Sequence, residues 1–258
     1  MRRNCQFVPF AVLVDMLFLW VYGLTSSFFT DTMMYKLTVI AEILMQDPHT
    51  PDLYMTRPGL LNLVLSNPET SALFGQFLLW AGGLAAASYL IYCIFQSLSW
   101  KFCFRIAGKE IGYQQYLKAF AKVNVLWFIL FIIYSVMMIL VSFRDRIGSL
   151  DYINEPAGAT SSVLTVLFIV VLWLASLSYC LADKSKPVRK TFRMIMKNPG
   201  AVFSATIVIA AVFVVVDLLL RQAFSISQSM MVIAGIFIAA PLFVWQRVLL
   251  KKVVDKVR

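Results

Sequence analysis

One carboxylate stands out by its surroundings. Asp15 lies inside the apolar run from Gln6 to Phe29, eight residues beyond Phe7 and so about 12 Å along a helix. If that run crosses a bilayer, this depth is close to the midplane. A carboxyl there is costly unless protonated, paired or hydrated, and it is expected to face the interior of a helix bundle. Tyr22 and Ser26 follow at plus seven and plus eleven, on the same helical face, and extend a polar stripe. Two chemistries fit: a proton or cation site, or a hydrogen-bonded acid that orients helix packing. No intramembrane cation is evident as its partner. Asp217 and Arg221, four residues apart, have the spacing of an intrahelical ion pair and read as an interfacial anchor. Gln76 and Asn124 are candidate hydrogen bonders between helices.

The residues that would serve other chemistries are missing or badly placed. The sole histidine, His49, sits in the proline-flanked segment Asp47-Pro48-His49-Thr50-Pro51, and there is no HExxH, no glycine-rich phosphate loop and no G-x-S-x-G. An aspartyl mechanism needs two facing carboxylates, whereas Asp15 and Asp217 fall at different depths. Cys5, Cys93, Cys103 and Cys180 have no metal-binding spacing and all map to one side of the topology derived below, which argues against a disulfide framework. The sequence therefore leans away from an enzyme, with no catalytic residue, cofactor or metal expected.

With 60% hydrophobic and 14% charged residues among 258, the chain is too apolar for one soluble core. Six runs are long enough to cross a hydrocarbon layer of roughly 30 Å: 6–29, 72–100, 123–143, 161–181, 201–220 and 224–250, the last two parted by a short turn near Arg221. The expected fold is an all-α polytopic transmembrane bundle of six spans forming a single membrane domain. The first run has no A-x-A site after it and reads as a retained helix.

Net charge is +10, but no basic soluble domain exists to bind nucleic acid. Basic residues cluster instead before the first span, between the second and third, between the fourth and fifth, and at the chain end. Only Lys36, Arg57, Arg144, Arg146 and Arg221 of the 23 lie on the opposite side. By the positive-inside rule both termini are cytoplasmic, as expected of a multi-pass cell-membrane protein. Trp100, Trp127 and Trp245 fall at the inner boundary, where amphipathic rings suit headgroups. On the outer side, apolar spacing predicts an amphipathic helix over 31–46 and a second short one over 60–65, forming a small helical loop that packs over the bundle or serves as a gate or partner surface.

The two basic inner segments are periodic as well. Tyr113, Leu117 and Phe120 share a face flanked by Lys118 and Lys122, and Val188, Phe192 and Ile195 align while Arg189, Lys190, Arg193 and Lys197 point elsewhere. Both read as interfacial helices on the inner leaflet, so Lys118, Lys122, Lys186, Arg189, Lys190, Arg193 and Lys197 are candidate contacts to anionic lipid. Ser97-Leu98-Ser99-Trp100 recurs as Ser176-Leu177-Ser178-Tyr179, and Lys118-Ala119-Phe120 as Lys190-Thr191-Phe192. These matches suggest a parallel repeat of 72–143 and 161–220. Small-residue pairs such as Gly82 with Ala86 and Gly235 with Ala239 allow close helix approach, within the monomer or at a homo-oligomer seam.

The elbow Ala182-Asp183-Lys184-Ser185-Lys186-Pro187-Val188-Arg189-Lys190-Thr191-Phe192, followed by Lys197-Asn198-Pro199-Gly200, resembles six-span bacterial and archaeal membrane proteins related to the membrane domain of some glycerophosphodiester phosphodiesterases. The resemblance covers about spans two to five. It implies a membrane-domain protein of unsettled role, not the phosphodiesterase reaction, since no separate catalytic domain is present. The functional expectation is a non-enzymatic scaffold or accessory protein that binds membrane lipid or a partner protein. The alternative is a transporter or permease subunit with Asp15 lining the path.

Overall fold

The computed structural model describes residues 6–45, 64–148, 159–226 and 228–257. Helices α1 (Val8–Met45), α2 (Pro68–Ile106), α3 (Tyr113–Gly148), α4 (Ala159–Tyr179), α5 (Pro187–Lys197), α6 (Pro199–Ile226) and α7 (Gln228–Val257) account for nearly all of them, and no strand occurs among the described residues. Five stretches are long and apolar enough to cross a membrane: Val8–Leu44, Pro68–Ile106, Tyr113–Met138, Ser161–Tyr179 and Pro199–Gln222. Their side chains bear this out. Leu79, Val163 and Ile207 are 76%, 60% and 67% exposed, an outward apolar display that water does not tolerate and lipid does. The chain has the build of a multi-pass membrane protein.

Helix ends follow breakers in the backbone, and three expected boundaries move for that reason. The outer amphipathic segment over 31–46 is not separate: no Gly or Pro interrupts the chain between Gly23 and Pro48, and α1 runs unbroken through it. Likewise Lys118 and Lys122 lie on the first turns of the continuous α3 rather than on a helix of their own. The turn expected near Arg221 is absent, and α6 continues to Ile226. By contrast α5 is a distinct helix, opened by Pro187 at its first turn and closed at Asn198-Pro199. That proline has no counterpart after Lys122, so the two halves of the suggested repeat differ at this joint. Asp47-Pro51 with His49, and residues 60–63 of the short outer helix, lie outside the described residues.

The chain divides into two compact units, 17–92 and 1–16 with 93–258. In the first, the distal half of α1 lies against the proximal half of α2. The Phe28 and Phe29 rings meet Trp80 at 5.8 and 5.5 Å, and Lys36 Nζ donates to Gln76 Oε1 at 2.6 Å. Gly83 lets Phe29 approach, because a Cβ there would stand 2.8 Å from its ring. Asn67 caps α2, its side chain accepting from the Glu69 N–H at 2.9 Å with Pro68 at the first helical position. In the second unit α3 packs on α4 and α6 on α7, and buried residues concentrate where α2 meets α3 and where α4, α5 and α6 connect. Gly108, with φ of +90°, ends α2 in the left-handed conformation that favours glycine.

Candidate functional site

Asp15 is buried and is not alone. Arg247, on the second half of α7, donates from Nη1 to both carboxylate oxygens at 3.0 and 2.7 Å and to Ser99 Oγ, and from Nη2 to Gln96 Oε1 at 2.8 Å. Its guanidinium lies 5.9 Å from the centre of the Trp100 ring. The two side chains are 6% and 13% exposed, so the pair is withdrawn from solvent and lipid alike. The sequence groups Arg247 with the basic chain end and offers Asp15 no cation; α7 carries that arginine back into the bundle. Ser99 and Gln96 also escape a reading of the sequence, although a run of polar residues at the end of a span is the available signal. Tyr22 and Ser26 belong to the other unit, where Tyr22 stacks on Phe18 at 5.7 Å and Ser26 is partly buried.

A carboxylate neutralised this way has its charge answered by a guanidinium that also binds two further acceptors. The contacts join α1, α2 and α7 at one level. Removing either partner would leave a lone buried charge, which is far costlier than never having had the pair.

Beside this pair lies a closed ring of five aromatics. Trp100 and Phe104 come from α2, Tyr116 and Phe120 from α3, and Tyr179 from the end of α4, with successive centroids 6.5, 5.2, 6.0, 4.4 and 6.1 Å apart around the circuit. The spacing of four within each of α2 and α3 stacks two rings per helix on one face. Polar tips are satisfied in a chain: Tyr116 Oη donates to the Tyr179 carbonyl at 3.0 Å, Tyr179 Oη to Asn124 Oδ1 at 2.6 Å, and Trp127 Nε1 to Ser178 Oγ at 2.8 Å. Trp100 and Tyr179, equivalent in the suggested repeat, thus meet face to edge. Asn124 is an interhelical hydrogen bonder as expected, and Trp127 is buried by this bond.

Lys251 is the least anticipated member, at 2% exposure one of the most buried side chains. Its ammonium donates to the Cys180 carbonyl at 3.0 Å, pairs with Asp255 at 3.1 Å and sits 4.1 Å over the Phe104 ring. Burial lowers its pKa from the usual 10.5, opposed by the Asp255 carboxylate. Burial alone would raise the Asp255 carboxyl, but hydrogen bonds from Lys109, at 2.7 Å, and Lys251 hold it below its ordinary value.

The basic elbow carries most of the candidate lipid contacts. Buried Thr191 and Met194 seat α5 on the bundle, and Phe192 and Met196 point outward, 50% and 81% exposed, beside exposed Arg189, Arg193 and Lys197. The outward apolar pair therefore differs from the expected Val188, Phe192 and Ile195, because Val188 and Ile195 are half-covered. Lys186 precedes Pro187 with φ of +53°, an uncommon backbone for a lysine. Lys118 and Lys122 are exposed on α3. The Asp217–Arg221 pair forms as its spacing predicts, at 2.8 Å on an exposed face. No group of His, Cys, Asp or Glu placed to hold a metal occurs among the described residues. Comparison with known proteins finds no matching family model, no matching curated protein and no matching solved structure.

Proposed function

We propose that the protein is a six-span, N-in/C-in membrane scaffold or accessory protein whose cytoplasmic base engages anionic lipid of the cell membrane. The sixth span would be the part of α7 that ends near Leu250, kinkable at Pro241, with Lys251 and Asp255 beyond it at the cytoplasmic end. The observation that carries the reading is α5. This eleven-residue helix turns Phe192 and Met196 outward beside Arg189, Arg193 and Lys197, the composition of a helix lying at the headgroup level with apolar side chains among acyl chains and cations among phosphates. Lys118 and Lys122 add to the same basic surface.

The transport alternative rests on an acid free to take a cation. The Arg247 partner of Asp15 weighs against it, and the described residues offer no other buried carboxylate in its place. The likeness to the membrane domain of glycerophosphodiester phosphodiesterases is compatible with this non-enzymatic role and adds no activity to it.

The test is thermal stability in nanodiscs of phosphatidylcholine with and without phosphatidylglycerol. The wild type is expected to melt higher with the anionic lipid, and Arg189→Glu with Lys118→Glu to lose most of that gain, since each basic residue near such a surface contributes roughly 1 kcal/mol. Equal melting in both lipids would reject the proposal.

A further inference from the structure

Among the described residues, two pockets on the basic end of the second unit differ in what their cations are doing. One, of about 340 Å³, is lined by Lys101, Arg105, Lys109, Glu110, Ile111 and Gly112. Its charges are spoken for: Arg105 pairs with Glu110 at 3.1 Å, Lys109 with Asp255 at 2.7 Å, and Lys101 lies over the Tyr113 ring.

The other, of about 200 Å³, lies between α5, the Leu181 turn and the end of α7. Lys190, Arg193 and Lys197 line it together with Asn198, and Leu181, Met194 and Val257 supply an apolar wall. Among the described residues no carboxylate lines it. The acids borne by its lining elements are already engaged, Asp183 by Lys184 at 2.7 Å and Asp255 by Lys109 and Lys251. Among the described residues Lys190 is held only by a hydroxyl, Ser185 Oγ at 3.2 Å, and Arg193 and Lys197 form no ion pair. Asn198 is pinned through Nδ2 to the Val257 carbonyl at 3.1 Å, which ties the pocket rim to α7. Three cations thus converge on one concavity with no counter-ion among the described residues, and an anion of matching charge would relieve their mutual repulsion.

From this convergence we infer that the pocket binds a phosphomonoester group. Such a group carries close to two negative charges above its second pKa of about 6 and offers three acceptor oxygens, which suits one arginine fork and two lysine point charges. A phosphodiester presents a single charge and would leave the site with surplus repulsion. The apolar wall suits an amphipathic bearer of that group, and Arg193 stands between the pocket and the outward Phe192 and Met196. The site specifies the lipid chemistry of the proposed function and rests on that reading only for the source of the phosphate.

The full chain in detergent is titrated at neutral pH with dioctanoyl phosphatidic acid, dioctanoyl phosphatidylglycerol, dioctanoyl phosphatidylcholine and inorganic phosphate, with binding read by native mass spectrometry. Wild type is expected to prefer phosphatidic acid over phosphatidylglycerol by at least about tenfold, the change one charge-assisted contact produces. Arg193→Gln with Lys197→Gln, both at exposed positions, should abolish that preference without shifting the unliganded melting temperature. Lys118→Gln with Lys122→Gln should keep it. Inorganic phosphate competing at similar concentration would support the same site with a soluble phosphomonoester as its ligand. Equal binding of the two anionic lipids, or a preference that survives in the Arg193 and Lys197 variant, overturns the site. Phosphatidylcholine binding as well as both would overturn the anionic-lipid function itself.

Discussion

Asp15→Asn should destabilise the protein far more than a surface carboxylate change, and the reason lies in what remains. The substitution is nearly isosteric, so packing around α1 is preserved, but Arg247 keeps its charge at 13% exposure beside Ser99 and Gln96, with its carboxylate gone. Breaking a buried pair from one side costs about 3–5 kcal/mol. For a chain of this size that corresponds to roughly 6–20 °C in melting temperature. The informative comparison is with the double variant Asp15→Asn with Arg247→Gln, which removes both charges and leaves amides that can bond each other. It should recover most of the loss, giving a coupling of at least about 2 kcal/mol in a double-mutant cycle. Melting of all four proteins in one detergent, followed by tryptophan emission, supplies the cycle. Additive effects of the two single variants would refute the pairing argument. Proton flux in proteoliposomes lost with Asp15→Asn, at unchanged melting temperature, would refute the structural role altogether.

Other outcomes follow from single contacts. Lys251→Met should remove a contribution that grows at alkaline pH: in the window below 10.5 the unfolded chain holds a proton that the folded chain has already released, so wild-type stability should rise relative to that of the variant across that window, as melting of both proteins between neutral pH and pH 10.5 would record. Asp255 works in the opposite range, its contribution being full above the ordinary 3.8 and lost as pH falls through its lower folded value, so Asp255→Asn should blunt acid destabilisation. Tyr179→Phe strands the Asn124 amide oxygen and should cost about 1–3 kcal/mol in chemical denaturation. Gly83→Val pushes a side chain into the Phe29 ring and should cost about 1–3 kcal/mol, with Phe29→Ala restoring part of it in the double variant.

The apolar runs foretold the helices well, because about twenty greasy residues in lipid have no other backbone solution. Helix ends were less legible. Hydropathy marks where a chain leaves the hydrocarbon, whereas the backbone stops being helical only at a breaker, so Thr30, Lys122 and Arg221 are all interior to longer helices. The site was legible as types and not as pairs. Asp15 could be singled out by its cost, but the cation that offsets it stands 232 positions away, in a stretch whose neighbours Lys251, Lys252 and Lys256 group it with the basic chain end. Lys251 was hidden by the same company. Nothing local distinguishes a lysine that snorkels outward from one that turns inward over Phe104; only the fold decides it.

The distribution of burial gives those two cations a shared purpose. Along the middle of the spans, side chains such as Leu79, Ile169 and Ile207 face outward, and helix contacts there gain little from the hydrophobic effect because lipid is as apolar as leucine. Specific cohesion must come from elsewhere, and it is concentrated at the end where α2 meets α3 and α4 joins α5 and α6: an ion pair with two further acceptors, a five-membered aromatic ring, and a buried ammonium. Directional contacts of this kind are worth most where water is excluded, and they fix α5 as an external ledge of the same hub through Thr191 and Met194. The basic residues that face outward from that ledge, and those that line the pocket beside it, are therefore presented by a helix seated on this hub. A surface meant only to sense bulk negative charge has no need of such a foundation, whereas a pocket that must hold three cations together against their repulsion does.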